Sequence, residues 1–207
     1  MSYFESAYTG VPPWDIGRPQ SEFMRLAEAG ETKGSVLDVG CGTGENALYL
    51  ASLGHEVWGI DFAPAAIEKG RAKARERGLE VTLLAWNVLE LQRLKRTFDT
   101  VIDSGLFHSL TDGERLLFVR SLTAVLEPGG TYFMLCFSEH EPGSWGPRRV
   151  TQAEIRAAFG QSWRINYIRQ AFFESNFPQG PARAWLSSIA RITDSGERQT
   201  VGRKNLR

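Results

Sequence analysis

The chain has 207 residues, of which 42% are apolar, and it carries 24 basic and 24 acidic side chains. This length and composition predict one domain with a packed core. The balanced charge creates no field that would draw in nucleic acid or an anionic membrane, so we expect neither as a partner.

Nothing in the sequence is typical of export or of a membrane span. No run of about 18 apolar residues occurs, which is the length that a membrane-spanning helix needs. Residues 1–6 lack the basic and apolar segments of a secretory signal. Cys41 and Cys136 are expected to be reduced, because a further strand should separate them. We therefore expect a cytoplasmic protein.

Apolar runs alternate with helical patterns along the chain. The first strand is expected to end at Asp38, and six more follow at 56–61, 80–85, 98–103, 131–137, 163–169 and 184–192. Helices are predicted directly after Gly44 and at 64–76, 112–126 and 151–159, with residues 128–130 as a break before the fifth strand. This alternation predicts an α/β fold with a doubly wound, mostly parallel sheet.

The two ends of the chain fall outside this alternation. Residues 1–30 begin with a segment rich in aromatic residues and proline, which we expect to dock on the domain as an arm. Residues 194–207 are polar and basic, and we expect a poorly ordered tail without an assigned role. The single domain is therefore predicted to span residues 1–193.

A glycine-rich loop follows the first strand, with Gly40, Gly42 and Gly44 between Asp38 and Glu45. A strand, a tight turn and a helix N-terminus in this order present bare backbone N–H groups to a ligand. The spacing is G-x-G-x-G, not the G-x-G-x-x-G of dinucleotide sites. The flanking carboxylates would repel a pyrophosphate and attract an ammonium or sulfonium, which favours S-adenosylmethionine (SAM) over NAD.

Residues 36–44, V-L-D-V-G-C-G-T-G, resemble motif I of the class I SAM-dependent methyltransferases. The resemblance implies a Rossmann-like, seven-stranded sheet, SAM as cofactor and an N-terminal lid segment. The preceding strand, the acidic residue and the following helix make this resemblance more specific than a glycine triplet alone.

Residues after three further strands are expected to complete the cofactor site, since ligands of open α/β sheets bind at the carboxyl ends of strands. Asp61 is placed to accept the ribose hydroxyls, and Phe62 to lie along the adenine. The resemblance implies that Asn87 meets the adenine amino group, although Asp is the common residue there, and that Val88 offers its backbone N–H. It also places Asp103 beside the methionine moiety.

Residues 13–20, P-W-D-I-G-R-P-Q, resemble the arm of the thiol/halide and thiopurine methyltransferases, which folds over the cofactor. The resemblance implies that Trp14 forms a wall near the sulfonium, an attraction of roughly 0.5–2 kcal/mol. Arg18 or Gln20 would then meet the methionine carboxylate. The alternative is that Trp14 fills the core and that Arg18 is solvated.

Residues 103–108, 128–130 and 145–152 resemble the bacterial heterocyclic-toxin methyltransferases, which methylate hydroxylated quinolone- or quinone-type aromatics. The resemblance implies a small-molecule acceptor held by aromatic walls. The residues expected at the acceptor are Phe107, His140, Trp145 and Arg149, with Phe137, Phe172 and Phe177 nearby. The alternative is that these aromatic residues only cap the core and that Arg149 is a solvated loop charge.

His108 follows the fourth strand, where acceptors dock, and is the candidate to orient or deprotonate the acceptor. The alternative is a packing histidine with satisfied hydrogen bonds. His140 also lies on the site side of the sheet, whereas His55 precedes the second strand at the opposite end and is expected to be structural.

The leading hypothesis is methyl transfer from SAM to oxygen or nitrogen of a small aromatic acceptor, hydroxyquinolone- or phenol-like, by in-line displacement. Thiol or halide methylation is the enzymatic alternative, and a non-catalytic SAM-binding module is the alternative of another class. No cluster of His, Cys or carboxylate residues predicts a metal site. We expect a monomer or a homodimer.

Overall fold

The computed structural model of the protein describes residues 3–192, so the tail predicted at 194–207 lies outside the described residues. Seven strands form one sheet in the order β3-β2-β1-β4-β5-β7-β6. They are β1 (Val36–Val39), β2 (Val57–Asp61), β3 (Thr82–Ala85), β4 (Phe98–Ser104), β5 (Leu126–Phe137), β6 (Trp163–Phe173) and β7 (Ala182–Arg191). Only β7 runs antiparallel to its neighbours, β5 and β6. The predicted α/β fold with a mostly parallel sheet is confirmed.

The order of the strands reverses between β1 and β4. The chain adds β2 and β3 on one side of β1 and then returns to place β4 on the other side. The connections leaving the carboxyl ends of β1 and β4 therefore diverge and leave a crevice between them. Ligands of open α/β sheets bind at such a switch point.

Six helices and two short 3₁₀ segments connect the strands. They are α1 (Tyr3–Ala7), α2 (Ser21–Glu28), α3 (Glu45–Ser52), α4 (Pro64–Glu76), α5 (Asp112–Leu122) and α6 (Gln152–Ala158), with 3₁₀ turns at Val88–Leu94 and Phe107–Ser109. Within residues 3–192, none of these helices has the length and apolar content to cross a bilayer.

The prediction was wrong around the start of β5. The helix predicted at 112–126 ends at Leu122, and Leu126 already belongs to β5. Residues 128–130 lie inside that strand, because a register shift between Phe98 and Thr100 of β4 accommodates them. Proline and glycine are tolerated in strands at such irregularities.

Apolar side chains cover both faces of the sheet. One face packs against α5, α6 and the two 3₁₀ turns, through residues such as Phe118 and Ile155. The other packs against α2, α3 and α4, through residues such as Phe23 and Leu50. Cys41 and Cys136 are free, and they belong to the clusters on opposite faces.

The N-terminal arm (residues 3–20) crosses the carboxyl ends of the strands. The Lys69 ammonium on α4 donates to the carbonyls of Tyr8 and Gly10, both at 2.8 Å. Further along, the Asn176 backbone N–H donates to the Pro13 carbonyl at 2.7 Å. The arm is thereby tied to elements on both sides of the crevice.

Candidate active site

The glycine loop between β1 and α3 needs glycine at its turns. Gly40, Gly42 and Gly44 have φ values of 68°, 56° and 84°, in the left-handed region that glycine adopts most easily. A Cβ on Gly42 would lie 2.8 Å from the Tyr8 hydroxyl. The loop therefore keeps its backbone bare beneath the arm.

Asp61, at the end of β2, joins the glycine loop to the turn that follows β2. Its Oδ2 accepts the Gly42 N–H at 2.9 Å, and its Oδ1 accepts the Ala63 N–H at 2.8 Å. Burial raises its pKa, and these two backbone donors oppose the shift. The structure thus places Asp61 beside the loop, and each oxygen keeps a lone pair for another donor.

Asp38, on β1, is fully buried, and neither carboxylate oxygen makes a well-directed hydrogen bond within residues 3–192. Burial raises its pKa well above the ordinary value, and the charge of Asp103 adds to this, whereas the Ala47 backbone N–H opposes it. A buried, unpaired carboxylate below a bare backbone loop fits a ligand that brings positive charge. The ammonium and sulfonium of SAM have this property.

Glu45 does not add to that negative charge, contrary to the expectation from the sequence. Its carboxylate contacts Lys73 at 2.8 Å and Arg77 at 2.9 Å, both on the side of α4. Burial acts to raise the pKa of Glu45, but the hydrogen bonds from Arg77 and Lys73 outweigh it and lower the pKa. Two cations therefore neutralise Glu45.

A narrow cleft of about 60 Å³ runs between the arm and the glycine loop. Tyr8 and Trp14 line it from the arm, where the Trp14 indole N–H donates to the Tyr8 hydroxyl at 3.0 Å. Ser104 and Phe173 line it from the ends of β4 and β6. The predicted neighbours Trp14, Gly40 and Gly42 meet here.

A larger cleft, of about 480 Å³, lies at the amino ends of the strands. Lys33, Asp99 and Gly129 are among its lining residues, and it contains none of the residues predicted for the site. Its size alone does not make it the active site, because ligands of such sheets bind at the other end.

Arg18 and Gln20 anchor the arm and do not face the cleft as free donors. The Arg18 guanidinium forms two hydrogen bonds with the Glu174 carboxylate, at 2.7 and 3.1 Å. The Gln20 side chain donates to the Glu174 carbonyl at 2.8 Å and accepts its N–H at 2.9 Å. Arg18 and Gln20 both line the cleft, so their contact with a ligand carboxylate stays a prediction, and Glu174 is a residue that the sequence did not indicate.

The residues expected around an adenine lie together at the ends of β2 and β3. Phe62 is 57% exposed just beyond β2. The Asn87 side chain is exposed and accepts the Leu89 N–H at 3.0 Å, and Val88 beside it is buried. The Asn87 oxygen therefore already caps the 3₁₀ turn that begins at Val88.

Asp103 does not line the cleft beside the glycine loop, so its contact with the methionine moiety stays a prediction. It is fully buried, and its carboxylate accepts the backbone N–H groups of Leu106 and Phe107 at 2.7 and 3.1 Å and the Tyr132 hydroxyl at 2.6 Å. Burial raises the pKa of Asp103 to about 7, although these donors oppose the shift. Asp103 organises the turn that carries His108.

His108 is buried beneath the aromatic residues at the end of β5. The Phe137 backbone N–H donates to its Nδ1 at 3.1 Å, so the neutral ring carries its hydrogen on Nε2. Burial, together with the smaller effect of the charges of Arg115 and Arg149, lowers the pKa of His108 to about 3. An imidazole with a lowered pKa and its hydrogen on Nε2 is better suited to donate a hydrogen bond than to remove a proton.

An aromatic cluster surrounds His108 on the side of the cleft. His108 packs on Phe137 and Phe173, with ring centroids 5.1 and 5.7 Å apart, and Trp145 and Phe177 extend the cluster. Phe173 also lines the cleft beside the glycine loop. In contrast, Phe172 is 60% exposed, so Phe173, and not Phe172, is the phenylalanine that lies beside His108 and the cleft.

Three residues expected at the acceptor lie elsewhere or are engaged. Phe107 is fully buried and packs on Phe159 in the core. His140 is exposed and packs on Trp185, which belongs to the core cluster on the opposite face of the sheet from Phe137. The Arg149 guanidinium donates to the backbone carbonyls of 141, 142, 145 and 147. It therefore organises the loop after β5 instead of offering free donors.

Among residues 3–192, no three or more His, Cys, Asp or Glu side chains are grouped in a way that could hold a metal ion. His55, at the opposite end of the sheet, has its Nδ1 2.9 Å from the Gly34 carbonyl oxygen.

Residues 36–130 match the methyltransferase domain family. The chain is 38% identical to the 2-heptyl-1-hydroxyquinolin-4(1H)-one methyltransferase of Mycobacteroides abscessus over 184 residues, 84% of this chain and 81% of that protein. It is 29% identical to "Probable thiol methyltransferase 2" of Arabidopsis thaliana over 153 residues, 70% of this chain and 65% of that protein.

A solved structure is also similar to this chain over the whole fold. Its description reads "Conversion of a Disulfide Bond into a Thioacetal Group during Echinomycin Biosynthesis". Its TM-score to this chain is 0.84 at 32% sequence identity, with 93% of this chain and 92% of that chain covered.

Proposed function

This chain belongs to the class I SAM-dependent methyltransferases, and we propose that it transfers the methyl group of SAM to oxygen or nitrogen of a small aromatic acceptor. The observation that carries the proposal is the aromatic cluster of Phe137, Phe173, Trp145 and Phe177 around His108, adjoining the glycine-loop cleft. Flat apolar walls suit a flat acceptor. The similarity to a hydroxyquinolone methyltransferase supports an acceptor of that kind.

SAM is the cofactor, and when bound it supplies a methyl group on a positively charged sulfur. In our proposal the Asp61 carboxylate accepts the ribose hydroxyls, and Phe62, Asn87 and Val88 surround the adenine. Asp38 does not line the cleft, and a positively charged ligand nearby would favour its ionised form, opposing the rise in pKa that burial causes.

Entry of the cofactor requires the arm to shift. The cleft of about 60 Å³ is smaller than the ~300 Å³ at which small-molecule pockets usually begin. Trp14 and Tyr8 form its outer wall. We propose that the arm opens to admit SAM and then returns, which places the Trp14 ring against the sulfonium and excludes water from the reaction.

The protein's part in the transfer is alignment. An in-line displacement needs the acceptor atom held opposite the leaving sulfur, and positioning alone supplies a large share of such a rate. Phe137 and Phe173 would hold the acceptor ring, and His108 would orient it. No step in this proposal requires proton removal by His108.

Thiol methylation is the second candidate. The similarity to a protein named as a thiol methyltransferase supports it, and a site without an evident base also suits a thiolate. Both candidates use the same cofactor site and differ in the acceptor.

Transfer from methyl-labelled SAM to a panel of hydroxyquinolones, phenols, thiols and iodide tests these proposals, with products identified by mass. We expect label on a hydroxyquinolone or phenol. Label only on a thiol or iodide would replace the first candidate by the second. Bound SAM without any labelled product would contradict both and favour a non-catalytic SAM-binding module.

A further inference from the structure

One nitrogen of the His108 ring accepts a hydrogen bond, and the other nitrogen is available to donate one. Nδ1 accepts the Phe137 N–H at 3.1 Å, so Nε2 carries the ring hydrogen. Within residues 3–192, no hydrogen bond is made by Nε2. Reversing the tautomer would place two N–H groups against each other at Phe137, so the donor stays on Nε2.

Nε2 lies close to residues that line the cleft, although His108 itself is buried. A Cβ built on Gly105 would be 3.1 Å from Nε2 and 3.0 Å from the Phe173 ring. Gly105 follows Ser104, and Ser104 and Phe173 both line the cleft. Because Gly105 has no Cβ, no side chain at that position separates Nε2 from the residues that line the cleft.

The titratable groups around this space do not provide a base. On β4, the Asp103 carboxylate already accepts three donors and points into the core. On β5, burial raises the pKa of the Cys136 thiol. From the arm, burial raises the pKa of Tyr8, whose oxygen accepts the Trp14 N–H.

The charges that face His108 are positive. Arg115 on α5 and Arg149 in the loop after β5 are both close enough to lower its pKa. On the side of β6, Phe173 is uncharged, and the Glu174 carboxylate after it is paired with Arg18. An anion beside Nε2 would thus have a hydrogen-bond donor available, in a region made more positive by the two arginines.

We infer that the enzyme selects acceptors whose hydroxyl is already ionised, and that the His108 Nε2–H binds the resulting oxyanion. The inference rests on the proposed function, and it names the acceptors as acidic phenols or N-hydroxy heterocycles. The oxyanion forms the new bond to the methyl carbon as the carbon–sulfur bond breaks, and the electron pair stays on sulfur. No proton passes to the protein, because the acceptor lost it in solution.

The pH dependence of kcat/KM for two acceptors of different acidity tests the inference. A hydroxy acceptor found with the labelled-SAM panel is compared with its more acidic halogenated derivative. We expect kcat/KM to rise with pH to a plateau, with an inflection that moves with the solution pKa of each acceptor. The same inflection for both acceptors would reveal a base on the enzyme and overturn the inference. No methyl transfer to any hydroxy acceptor would instead contradict the proposed function.

Two substitutions test the donor itself. His108→Asn keeps an oxygen for the Phe137 N–H and removes the donor from the Nε2 position, whereas His108→Gln retains an N–H near that position. We expect His108→Asn to lower kcat/KM for the hydroxy acceptor by roughly 10- to 100-fold, since hydrogen bonds to charged groups are of this strength. His108→Gln should recover part of the loss. Wild-type kcat/KM in folded His108→Asn would overturn the role of the donor.

Gly105→Ala provides a check that keeps the histidine. The new methyl group would lie 3.1 Å from Nε2 in a backbone with φ of 87°. Gly54→Ala is the matched control, because Gly54 has φ of 90° and no neighbouring atom within 4 Å. We expect Gly105→Ala to lose activity toward hydroxy acceptors well beyond the control, and equal activities would contradict the placement of the acceptor.

Discussion

The Tyr132 hydroxyl donates a 2.6 Å hydrogen bond to the carboxylate of Asp103, and both side chains are fully buried. The same carboxylate holds the backbone of the turn that leads to His108. A polar pair in the core therefore sets the position of a residue that lies close to those that line the cleft.

This pair should make stability depend on pH. The folded-state pKa of Asp103 is raised to about 7 from an unfolded value of ~3.9, so the folded state binds the proton more tightly. The resulting stabilisation is complete below pH ~4 and is lost as pH rises towards about 7. The contribution of Asp103 is measured as the difference between wild-type and Asp103→Asn unfolding free energies across this range. A difference independent of pH would contradict the raised pKa.

Tyr132→Phe should destabilise the protein by about 1–3 kcal/mol, because it removes a donor from a buried carboxylate. It should also move the pH-dependent loss of stability to higher pH, since one opposing donor is gone. Denaturant unfolding at several pH values measures both effects. An unchanged midpoint throughout would show that the hydrogen bond contributes nothing.

Gly42→Ala should weaken SAM binding by displacing Tyr8. The new Cβ would lie 2.8 Å from the Tyr8 hydroxyl, in a backbone with φ of 56°. Gly54→Ala introduces left-handed strain without a contact and controls for the cost of strain, about 1–3 kcal/mol. Calorimetric titration with SAM compares the two variants. Equal losses of affinity would show that the contact with Tyr8 has no effect on binding.

Asp61→Ala should lose most of the SAM affinity, at least about 10-fold, while the fold remains intact. The carboxylate is proposed to bind the ribose, and it also holds the Gly42 and Ala63 backbone groups. Asp61→Asn, which keeps one acceptor oxygen, should fall between the wild type and Asp61→Ala. Unchanged calorimetric affinity in Asp61→Ala would overturn the proposed cofactor contacts.

Glu174→Gln should loosen the arm and raise the dissociation constant for SAM. The substitution removes the charge that pairs with Arg18, and hydrogen bonds from Arg18 are the main cause that lowers the pKa of Glu174 to about 2. Glu68→Gln breaks the exposed Glu68–Arg71 pair on α4 and is the matched control. In a SAM titration, high salt should raise the dissociation constant of the wild type, because salt screens the Arg18–Glu174 pair, and should raise that of Glu174→Gln less.

The sequence predicted the sheet and the glycine loop because both depend on local patterns. Strand periodicity and glycine spacing are properties of neighbouring residues, and Asp61 follows from its strand. The role of Asp103 in the following turn could also have been predicted, since Asp side chains often accept hydrogen bonds from the backbone N–H groups of a turn that follows them.

Local sequence patterns did not predict which way single side chains point or which distant residues they contact. Arg18 pairs with a residue 156 positions away, which no local pattern indicates. The strand predicted to end at 169 extends to Phe173, so the sequence did not decide whether Phe172 or Phe173 faces the site. Because side chains of a strand alternate between the two faces of the sheet, consecutive residues such as Phe172 and Phe173 point to opposite faces.

Phe173 and Glu174 are consecutive in the chain, and each serves a different ligand in the proposed function. Phe173 packs on His108 beside the acceptor space, and Glu174 holds the arm that covers the cofactor space. The acceptor space and the anchor of the arm therefore share one short segment of backbone at the end of β6. We expect a substitution that shifts this segment of backbone to disturb SAM binding and acceptor binding together.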